Sequence, residues 1–412
     1  MSQTEVQLIK ADAVVTADIA NSAVTDAKIS GLTSSKLTGA LPAISGAALT
    51  GITSAGKAKN LIINGAFQVA QRGTSSTSSG MQTVDRFFVY HNGTNEAPTQ
   101  AQVAVAAGTT PYTSGFRNAL KITNGNQTGG AGVTDYIWIQ TKLEAQDISN
   151  SGWNYTSASS NVTLSFWVKS SVAQDFKGYL RTKDGTSQMY PFATGSLSAD
   201  TWTKITKTIP GNSNLQFDND NGEGLIINIL PFAGTDLTNN ATTEDAWAAY
   251  VAANRTKDVT STWYTTNDAT FEITGVQLEV GDNATDFEHL SYQETLLRCY
   301  RYFYAHIGML WGITSAGDHL DLNLTFPIPM RTAPSRTQND TSLLFKNRLD
   351  QNNSTSATTY SYSGVVSPTG DFWVARPGSG DSWGTNYESN ESRGIYYHAY
   401  EGTVSYSWSA EL

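Results

Sequence analysis

The chain has little cysteine, little charge and no long hydrophobic run. Its one cysteine, Cys299, excludes an intrachain disulfide framework and a CxxC metal or redox motif. Charged residues make up 15% of the 412 residues, whereas roughly 25% is usual in soluble domains. The longest apolar run, residues 225–234, is about half as long as a membrane span requires. We therefore expect neither a disulfide-stabilised domain nor insertion into a membrane.

The charge that is present is mostly acidic. The chain has 26 basic and 36 acidic residues, which gives a net charge of −10, and it has no dense run of Lys and Arg. Nucleic acid is therefore not an expected partner, because a nucleic-acid site must neutralise successive phosphates. Residues 1–12 include Glu5 and Asp12 and no apolar stretch, so we also expect no secretory signal peptide.

Residues 1–66 contain no Phe, Tyr or Trp. Residues 24–29 (VTDAKI) are echoed by residues 32–37 (LTSSKL), and such short aliphatic repeats cannot bury a core alone. They can bury their apolar stripe if identical chains wind around a common axis, which predicts an extended, intertwined N-terminal shaft over residues 1–57. The alternative is a disordered linker.

The next region, to about residue 290, has the pattern of a β-sandwich. Apolar and polar residues alternate over residues 162–169, the period of a half-buried strand. Residues 202–209 and 225–230 predict two further strands. Alternation over residues 271–280 changes phase at Thr274 and Gly275, which predicts a β-bulge. Several short strands separated by turns indicate a sandwich over residues 58–290.

Two short helices are expected in this mainly β chain. Thr242 with Asp245 predicts the start of one, which would carry Trp247 and Val251. Residues 291–294 (SYQE) have the form of a capping box and predict the start of the other. We interpret the second helix as a hinge, and the buried Cys299 within it as a small hydrophobic residue.

The tail, residues 291–412, is predicted to be a small all-β domain. Residues 320–326 alternate and end at a Pro-Ile-Pro sequence, which terminates a strand. Trp373, Tyr406 and Trp408 lie in strand-like stretches and are assigned to the core. Four other rings lie near Gly and Ser, and flat apolar rings with polar edges suit glycan recognition. These glycan-binding candidates, for which core packing is the alternative, are Trp383, Tyr387, Tyr396 and Tyr397.

Two local patterns resemble the tail-fibre, receptor-binding proteins of tailed bacteriophages. The first is residues 60–67 (NLIINGAF) with 71–73 (QRG) and 85–87 (DRF); the second is residues 275–281 (GVQLEVG) with 284–289 (ATDFEH). That family usually has proline where this chain has Asp286. Residues 326–334 (FPIPMRTAP) and the terminal Ala-Glu-Leu also look like the family, so the resemblance covers residues 60–334 in order.

The resemblance implies a homotrimeric fibre or spike in the virion tail. Residues 1–57 would attach to tail adaptor or portal-proximal proteins, residues 58–290 would form a jelly roll similar to carbohydrate-binding modules, and residues 291–412 would form the distal tip. The implied function is attachment to a host surface polysaccharide or lipopolysaccharide, after assembly in the host cytoplasm. The alternatives are a head fibre or adaptor without receptor binding, and a polysaccharide depolymerase.

We expect no catalytic residue. A glycan hydrolase needs two carboxylates facing a sugar cleft, and the carboxylates that are close in sequence flank a strand and turn that the resemblance makes structural: Glu272, Glu279, Asp282, Asp286 and Glu288. Residues 380–384 match GxSxG, but the strand and helix of a nucleophile elbow are missing there. The five histidines are scattered without the spacing of metal ligands.

Residues 218–223 (DNDNGE) are the one cation candidate in the sequence. Clustered oxygen ligands on a turn suit Ca²⁺, with Asp218, Asp220 and Glu223 as the ligands. The stretch lacks a full EF-hand loop, and a solvated Asx-rich turn is the alternative. No other cofactor is expected.

Overall fold

The computed structural model describes residues 60–306, 310–315, 319–338, 343–347, 354–357, 360–377, 395–398 and 406–412. The predicted shaft lies outside these residues. The chain from Gly56 to Leu412 forms one compact unit, in which two antiparallel sheets make a β-sandwich and further strands make up the tail. The predicted architecture, mainly β with few short helices, is confirmed.

Six antiparallel strands form each sheet of the sandwich. From one edge to the other, sheet 1 contains β1 (Ser75–Ser76), β3 (Thr99–Ala104), β4 (Asn118–Thr123), β12 (Thr270–Val280), β6 (Asn161–Ser170) and β9 (Thr203–Pro210). From edge to edge, sheet 2 contains β11 (Ala248–Ala249), β8 (Gln188–Ser196), β7 (Asp175–Thr182), β10 (Glu223–Ala233), β5 (Tyr136–Glu144) and β2 (Phe88–Asn92). The chain repeatedly crosses from one sheet to the other, as in a jelly roll.

One hydrophobic core fills the space between the sheets. Phe166 and Phe271 from sheet 1 pack in the same cluster as Ile139, Leu180 and Ile227 from sheet 2. Alternate residues of each strand supply these side chains because successive residues of a strand point to opposite faces. The strands predicted at residues 162–169, 202–209 and 225–230 are confirmed.

The expectation that residues 162–169 are half-buried holds at Trp167 and Lys169 but not at Thr163 and Ser165. Thr163 and Ser165 are 0% and 3% exposed, although they face away from the core. The cause is the turn after β12, which folds back over the outer face of sheet 1. Thr285 in that turn donates to Glu279, and the Thr163 hydroxyl donates to the carbonyl of Gly281.

The predicted bulge in β12 is confirmed. The pairing of β12 with β6 shifts register between Thr274 and Gln277. Gly275 has a φ of +65°, a left-handed conformation that favours glycine. A Cβ atom at Gly275 would lie 2.5 Å from the ring of Phe116, so the bulge also requires close approach.

One of the two predicted helices is confirmed. Helix α4 (Tyr292–Tyr300) has a full capping box, with Ser291 and Glu294 bonded to each other's backbone amides. Its Cys299 is 1% exposed, as expected of a small hydrophobic residue. The other described helices are single turns: α1 (Thr110–Thr113), α2 (Ala145–Ser149) and α3 (Thr262–Thr265).

The helix predicted from Thr242 to Val251 is absent. Its backbone instead pairs with the edge of sheet 2, because Ala248 and Ala249 form β11 against β8. The amide of Tyr250 continues this pairing by donating to the carbonyl of Ser187. Sheet pairing therefore overrides the local helical pattern.

Two sheets are described in the tail. The smaller contains β13 (Phe303–His306), β22 (Tyr406–Ser409) and β16 (Ser335–Gln338), in that order. The larger contains β18 (Ser354–Ala357), β17 (Leu343–Asn347), β21 (Ile395–His398), β14 (Leu310–Ser315), β15 (His319–Thr325), β20 (Gly370–Pro377) and β19 (Tyr360–Ser367). The strand predicted at residues 320–326 is confirmed as β15.

The last residues of the chain pack tightly. Tyr406 and Trp408 are 1% and 0% exposed, which confirms their assignment to the core. Beyond them, the carboxylate of Glu411 pairs with the buried guanidinium of Arg86 and lies 3.2 Å from Arg72. The terminal residues thus contact the sandwich, and the predicted boundary at residue 290 stays a prediction. No helix of the described residues is long and apolar enough to cross a membrane.

Candidate functional site

The ring candidates of the tail are only partly described. Trp383 and Tyr387 lie outside the described residues, as does the GxSxG sequence at residues 380–384. Tyr396 and Tyr397 lie in β21, which is paired on both sides by β14 and β17. Their backbone is therefore in a sheet rather than a loop, and their role in binding stays a prediction.

The calcium candidate at residues 218–223 has a different arrangement from the predicted one. Both oxygens of Glu223 are used by lysines, Oε1 by Lys142 at 2.5 Å and Oε2 by Lys183 at 3.2 Å. Asp220 accepts from the amide of Gly222, as in an Asx turn. The described residues contain no group of three His, Cys, Asp or Glu side chains suited to a metal. The proposed ligand set of Asp218, Asp220 and Glu223 is therefore not supported.

The carboxylates around β12 make structural contacts. Glu272 pairs with Lys169 at 3.0 Å, and Glu279 accepts from the amide and hydroxyl of Thr285. Glu288 accepts from the amide of Asn60 at 2.8 Å. These bonds hold the turn after β12 and the start of the described chain against sheet 1.

A cavity of about 640 Å³ lies between α2 and α4, beside Asn60. Three charged residues line it, namely Asp147, Arg298 and Arg301. Arg301 is bonded to the carboxylate of Glu144, which also accepts from Gln146. Among the described residues, no side-chain atom of its lining is a buried donor or acceptor without a partner.

The outer face of sheet 2 is different, because polar and aromatic side chains cross it in rows. Register places Gln140, Asn228 and Tyr179 side by side on β5, β10 and β7. One row away, Trp138 on β5 lies opposite Tyr90 on β2. Alternation along β5 explains the pattern, since its other residues face the core.

The loop from residue 234 to residue 261 brings two further side chains onto this face. Its Tyr250 ring lies under the guanidinium of Arg181, 3.6 Å away, and Arg255 lies 5.4 Å from the ring of Trp138. Arg255 Nε also donates to the hydroxyl of Tyr250 at 3.1 Å. We name this region the polar face: its partly exposed residues are Tyr90, Trp138, Gln140, Arg181, Tyr250 and Arg255, and Tyr179 and Asn228 are buried beneath them.

Three nitrogen atoms of the polar face are buried without a hydrogen-bond partner. They are Nε1 of Trp138, Nδ2 of Asn228 and Nη1 of Arg255. Asn228 is 1% exposed, and its oxygen is already used by Gln140 at 2.7 Å. Leaving a buried donor unpaired costs about 1–3 kcal/mol, so this cluster favours a ligand that supplies oxygen atoms.

The rings on the same face can contact a flat molecule. Trp138 stacks on Tyr136 with centroids 4.0 Å apart, and Phe88 stacks on Tyr90 at 5.4 Å. Trp138 and Tyr90 remain partly exposed. Rings with unpaired donors beside them suit a ligand that has both apolar and hydroxyl-bearing surfaces.

The polar face was missed by reasoning from the sequence. The alternation of Tyr136, Trp138 and Gln140 with isoleucines is visible in residues 136–144 and would have located the strand and its outer residues. Nothing in the sequence indicates that Asn228 and Arg255 lie next to them. That proximity results from strand pairing and from the path of the loop.

Neither a protein-family model nor a curated protein matches the chain. Among solved structures, it is similar to the enzymatically active domain of tailspike protein 4 from bacteriophage CBA120, with 8% identity and a TM-score of 0.28. That match covers 54% of this chain and only 21% of the tailspike chain.

Two carbohydrate-binding modules give similar values. The N-terminal cellulose-binding domain of Cellulomonas fimi β-1,4-glucanase C matches at 9% identity, 52% and 99% coverage and a TM-score of 0.26. The family 11 module of Clostridium thermocellum matches at 12% identity, 52% and 98% coverage and a TM-score of 0.23. TM-scores this low carry no argument about function.

Proposed function

We propose that this chain binds carbohydrate on the polar face of sheet 2. The observation that carries the proposal is the cluster of unpaired donors on Trp138, Asn228 and Arg255 beside partly exposed rings. Sugar hydroxyls accept hydrogen bonds, and the apolar face of a sugar ring stacks on aromatic rings. A bound saccharide would satisfy both parts of the surface.

We further propose that the binding serves attachment of a phage to its host. Support comes from the resemblance of residues 60–334 to tail-fibre proteins. In this role the chain is a homotrimeric fibre or spike of the virion, held by residues 1–57 to tail proteins, and its ligand is a host surface polysaccharide or lipopolysaccharide. A head fibre or adaptor would show no glycan binding.

We also propose that the protein is not an enzyme. Hydrolysis needs one carboxyl group as acid and another as base or nucleophile. Near the polar face, Glu223 is paired with Lys142 and Lys183, and Glu244 lies 2.8 Å from Lys177. Carboxylates held by lysines are poorly suited to accept or release a proton. Release of new reducing ends from host polysaccharide would contradict this proposal.

The decisive experiment is a glycan array probed with the full-length protein, followed by titration of the best ligand. Trp138→Phe keeps an aromatic ring but removes the Nε1 donor, and Trp138→Ala removes both. We expect affinity to fall in that order, by about tenfold for a lost pair worth 1.4 kcal/mol.

A matched control is available on the other sheet. Trp202 directly precedes β9 of sheet 1 and is partly exposed beside Lys169, so Trp202→Phe makes the same chemical change away from the polar face. It should bind like the wild type. If no glycan binds, or if both Trp138 variants bind as tightly as the Trp202 variant, the proposed site is wrong.

A further inference from the structure

Two guanidinium groups lie close to one ring in the polar face. Arg181 is 3.6 Å from the centroid of Tyr250, and Arg255 is 5.9 Å from it. Arg255 also hydrogen-bonds Tyr179, whose pKa is raised by burial despite the two nearby arginines. The two positive charges are therefore concentrated in a small part of the face.

Neither arginine forms an ion pair with a carboxylate among the described residues. Arg181 donates from Nε to the hydroxyl of Ser187, and Arg255 donates from Nε to the hydroxyl of Tyr250. Acidic residues outnumber basic ones by 36 to 26 in this chain, so carboxylates are not scarce. Four other arginines of the described chain, Arg72, Arg86, Arg301 and Arg336, are paired with a carboxylate, whereas Arg117 and Arg331 donate to backbone carbonyls.

The atoms near these charges that lack a hydrogen-bond partner can only donate. An indole N–H and a guanidinium N–H cannot accept, so Trp138 Nε1 and Arg255 Nη1 both need an oxygen from the ligand. Hydrogen bonds from a guanidinium to an ionised oxygen are shorter and stronger than those to a neutral hydroxyl. The chemistry of this part of the face favours an anion over a neutral sugar.

We propose that the glycan bound by the polar face is acidic, and that a sugar carboxylate, such as that of a uronic acid, binds beside Arg255 and Trp138. Arg181 supplies the second positive charge. This inference rests on the proposed carbohydrate-binding function and specifies its ligand class. It assigns the carboxylate to the two arginines and the sugar ring to the aromatic part of the face.

The test compares each acidic glycan with its own neutral form. Oligomers of galacturonate, alginate and hyaluronan are titrated into the full-length protein, native and after reduction of their carboxyl groups to alcohols. Reduction keeps the backbone and linkages and removes only the charge. At least one native oligomer should bind, and its reduced form should bind at least about tenfold more weakly, because one charge-assisted pair is lost.

Three variants locate the effect. Arg181→Gln and Arg255→Gln should each weaken binding of the native oligomer by about tenfold and weaken binding of its reduced form clearly less, because a neutral alcohol forms no charge-assisted hydrogen bond. Arg117→Gln is the matched control: Arg117 also lies on a tyrosine, 3.9 Å from the ring of Tyr112, but it is bonded to backbone carbonyls beside sheet 1. Its affinity should equal that of the wild type.

The outcomes separate the two proposals. If native and reduced oligomers bind equally, or if only neutral glycans of the array bind, the protein binds carbohydrate but the acidic ligand class is wrong. If the arginine variants weaken both forms equally, the carboxylate is not placed beside them and the inference also fails. If no glycan of either kind binds, the proposed function itself fails.

Discussion

Arg301 donates two parallel hydrogen bonds to Glu144, from Nε to Oε1 at 2.6 Å and from Nη2 to Oε2 at 2.7 Å. Arg301 directly follows α4, and Glu144 is the last residue of β5 and is 0% exposed. Burial alone would raise the pKa of Glu144, but hydrogen bonds from Arg301 and Tyr302 outweigh it and hold that pKa below its ordinary value. The pair therefore ties α4 to sheet 2 through an ionised carboxylate.

Replacing Arg301 by Ala should strongly destabilise the protein. The carboxylate of Glu144 would stay buried without its cation, and a broken buried pair costs about 3–5 kcal/mol. Urea unfolding at pH 7, followed by tryptophan fluorescence, measures the loss. The control is Lys207→Ala, whose partner Asp245 is 54% exposed at 3.3 Å, and it should lose less than about 1 kcal/mol. Equal losses would contradict the role of the pair.

Asp85 should make the protein less stable as the pH rises. Burial raises its pKa from 3.8 to about 6, although Arg72 and Gln71 oppose the shift. Between these two pKa values the folded chain keeps a proton that the unfolded chain has lost, so stability falls as pH rises through the window. The change amounts to about 1.4 kcal/mol for each unit of the shift.

The variant Asp85→Asn tests this linkage, because it removes the titration but keeps the shape. The free energy of unfolding is measured for the variant and the wild type at several pH values between roughly 4 and 7. The value for the variant minus that for the wild type should increase as pH rises. The exposed Asp282→Asn, measured at the same pH values, is the matched control for the substitution itself. A difference that stays constant with pH would show that Asp85 titrates normally.

Gly275→Ala should destabilise the sandwich more than the same substitution at another glycine with positive φ. The new Cβ would lie 2.5 Å from Phe116 and would also strain the backbone at φ +65°. Gly108 has φ +82° but open space around it, so Gly108→Ala tests the backbone strain alone, which costs roughly 1–2 kcal/mol. Overpacking should add about 1–3 kcal/mol at Gly275. Thermal unfolding measures the stability that each variant loses. Equal losses would show that the ring of Phe116 moves aside without destabilising the protein.

Under the proposed attachment role, the glycan-binding candidates predicted in the tail compete with the polar face as the surface that binds the host. Replacing Trp383 and Tyr387 together by Ala removes two flat surfaces, each worth about 0.5–1.5 kcal/mol if it stacks. Cell binding should then fall at least about tenfold, and more if several chains bind at once. The Trp138→Phe variant, tested in the same cell-binding assay, shows whether the polar face or the tail binds the host cell. If the double variant folds and binds cells normally, the two rings have no role in attachment.

Local patterns were reliable where the residues that decide a structure are neighbours in sequence. The capping box at Ser291 and Glu294 is such a case, because both partners lie within one turn of helix. The bulge at Gly275 is another, since a change of phase in the alternation reports it directly. The segment from Thr242 to Val251 shows the limit: its spacing suits a helix, but the edge of sheet 2 offers its backbone other hydrogen bonds.

By itself, the sequence determined that this chain is mainly β, that it contains a β-sandwich, and where four of the strands lie (β6, β9, β10 and β12), because alternating residues and short apolar runs between turns indicate strands. Only the tertiary structure decided the candidate site. Trp138, Asn228 and Arg255 come from two strands and a loop, and they meet through the register of β5 with β10 and the path of residues 234–261. No local pattern encodes such a meeting, since it depends on pairings between distant segments of the chain.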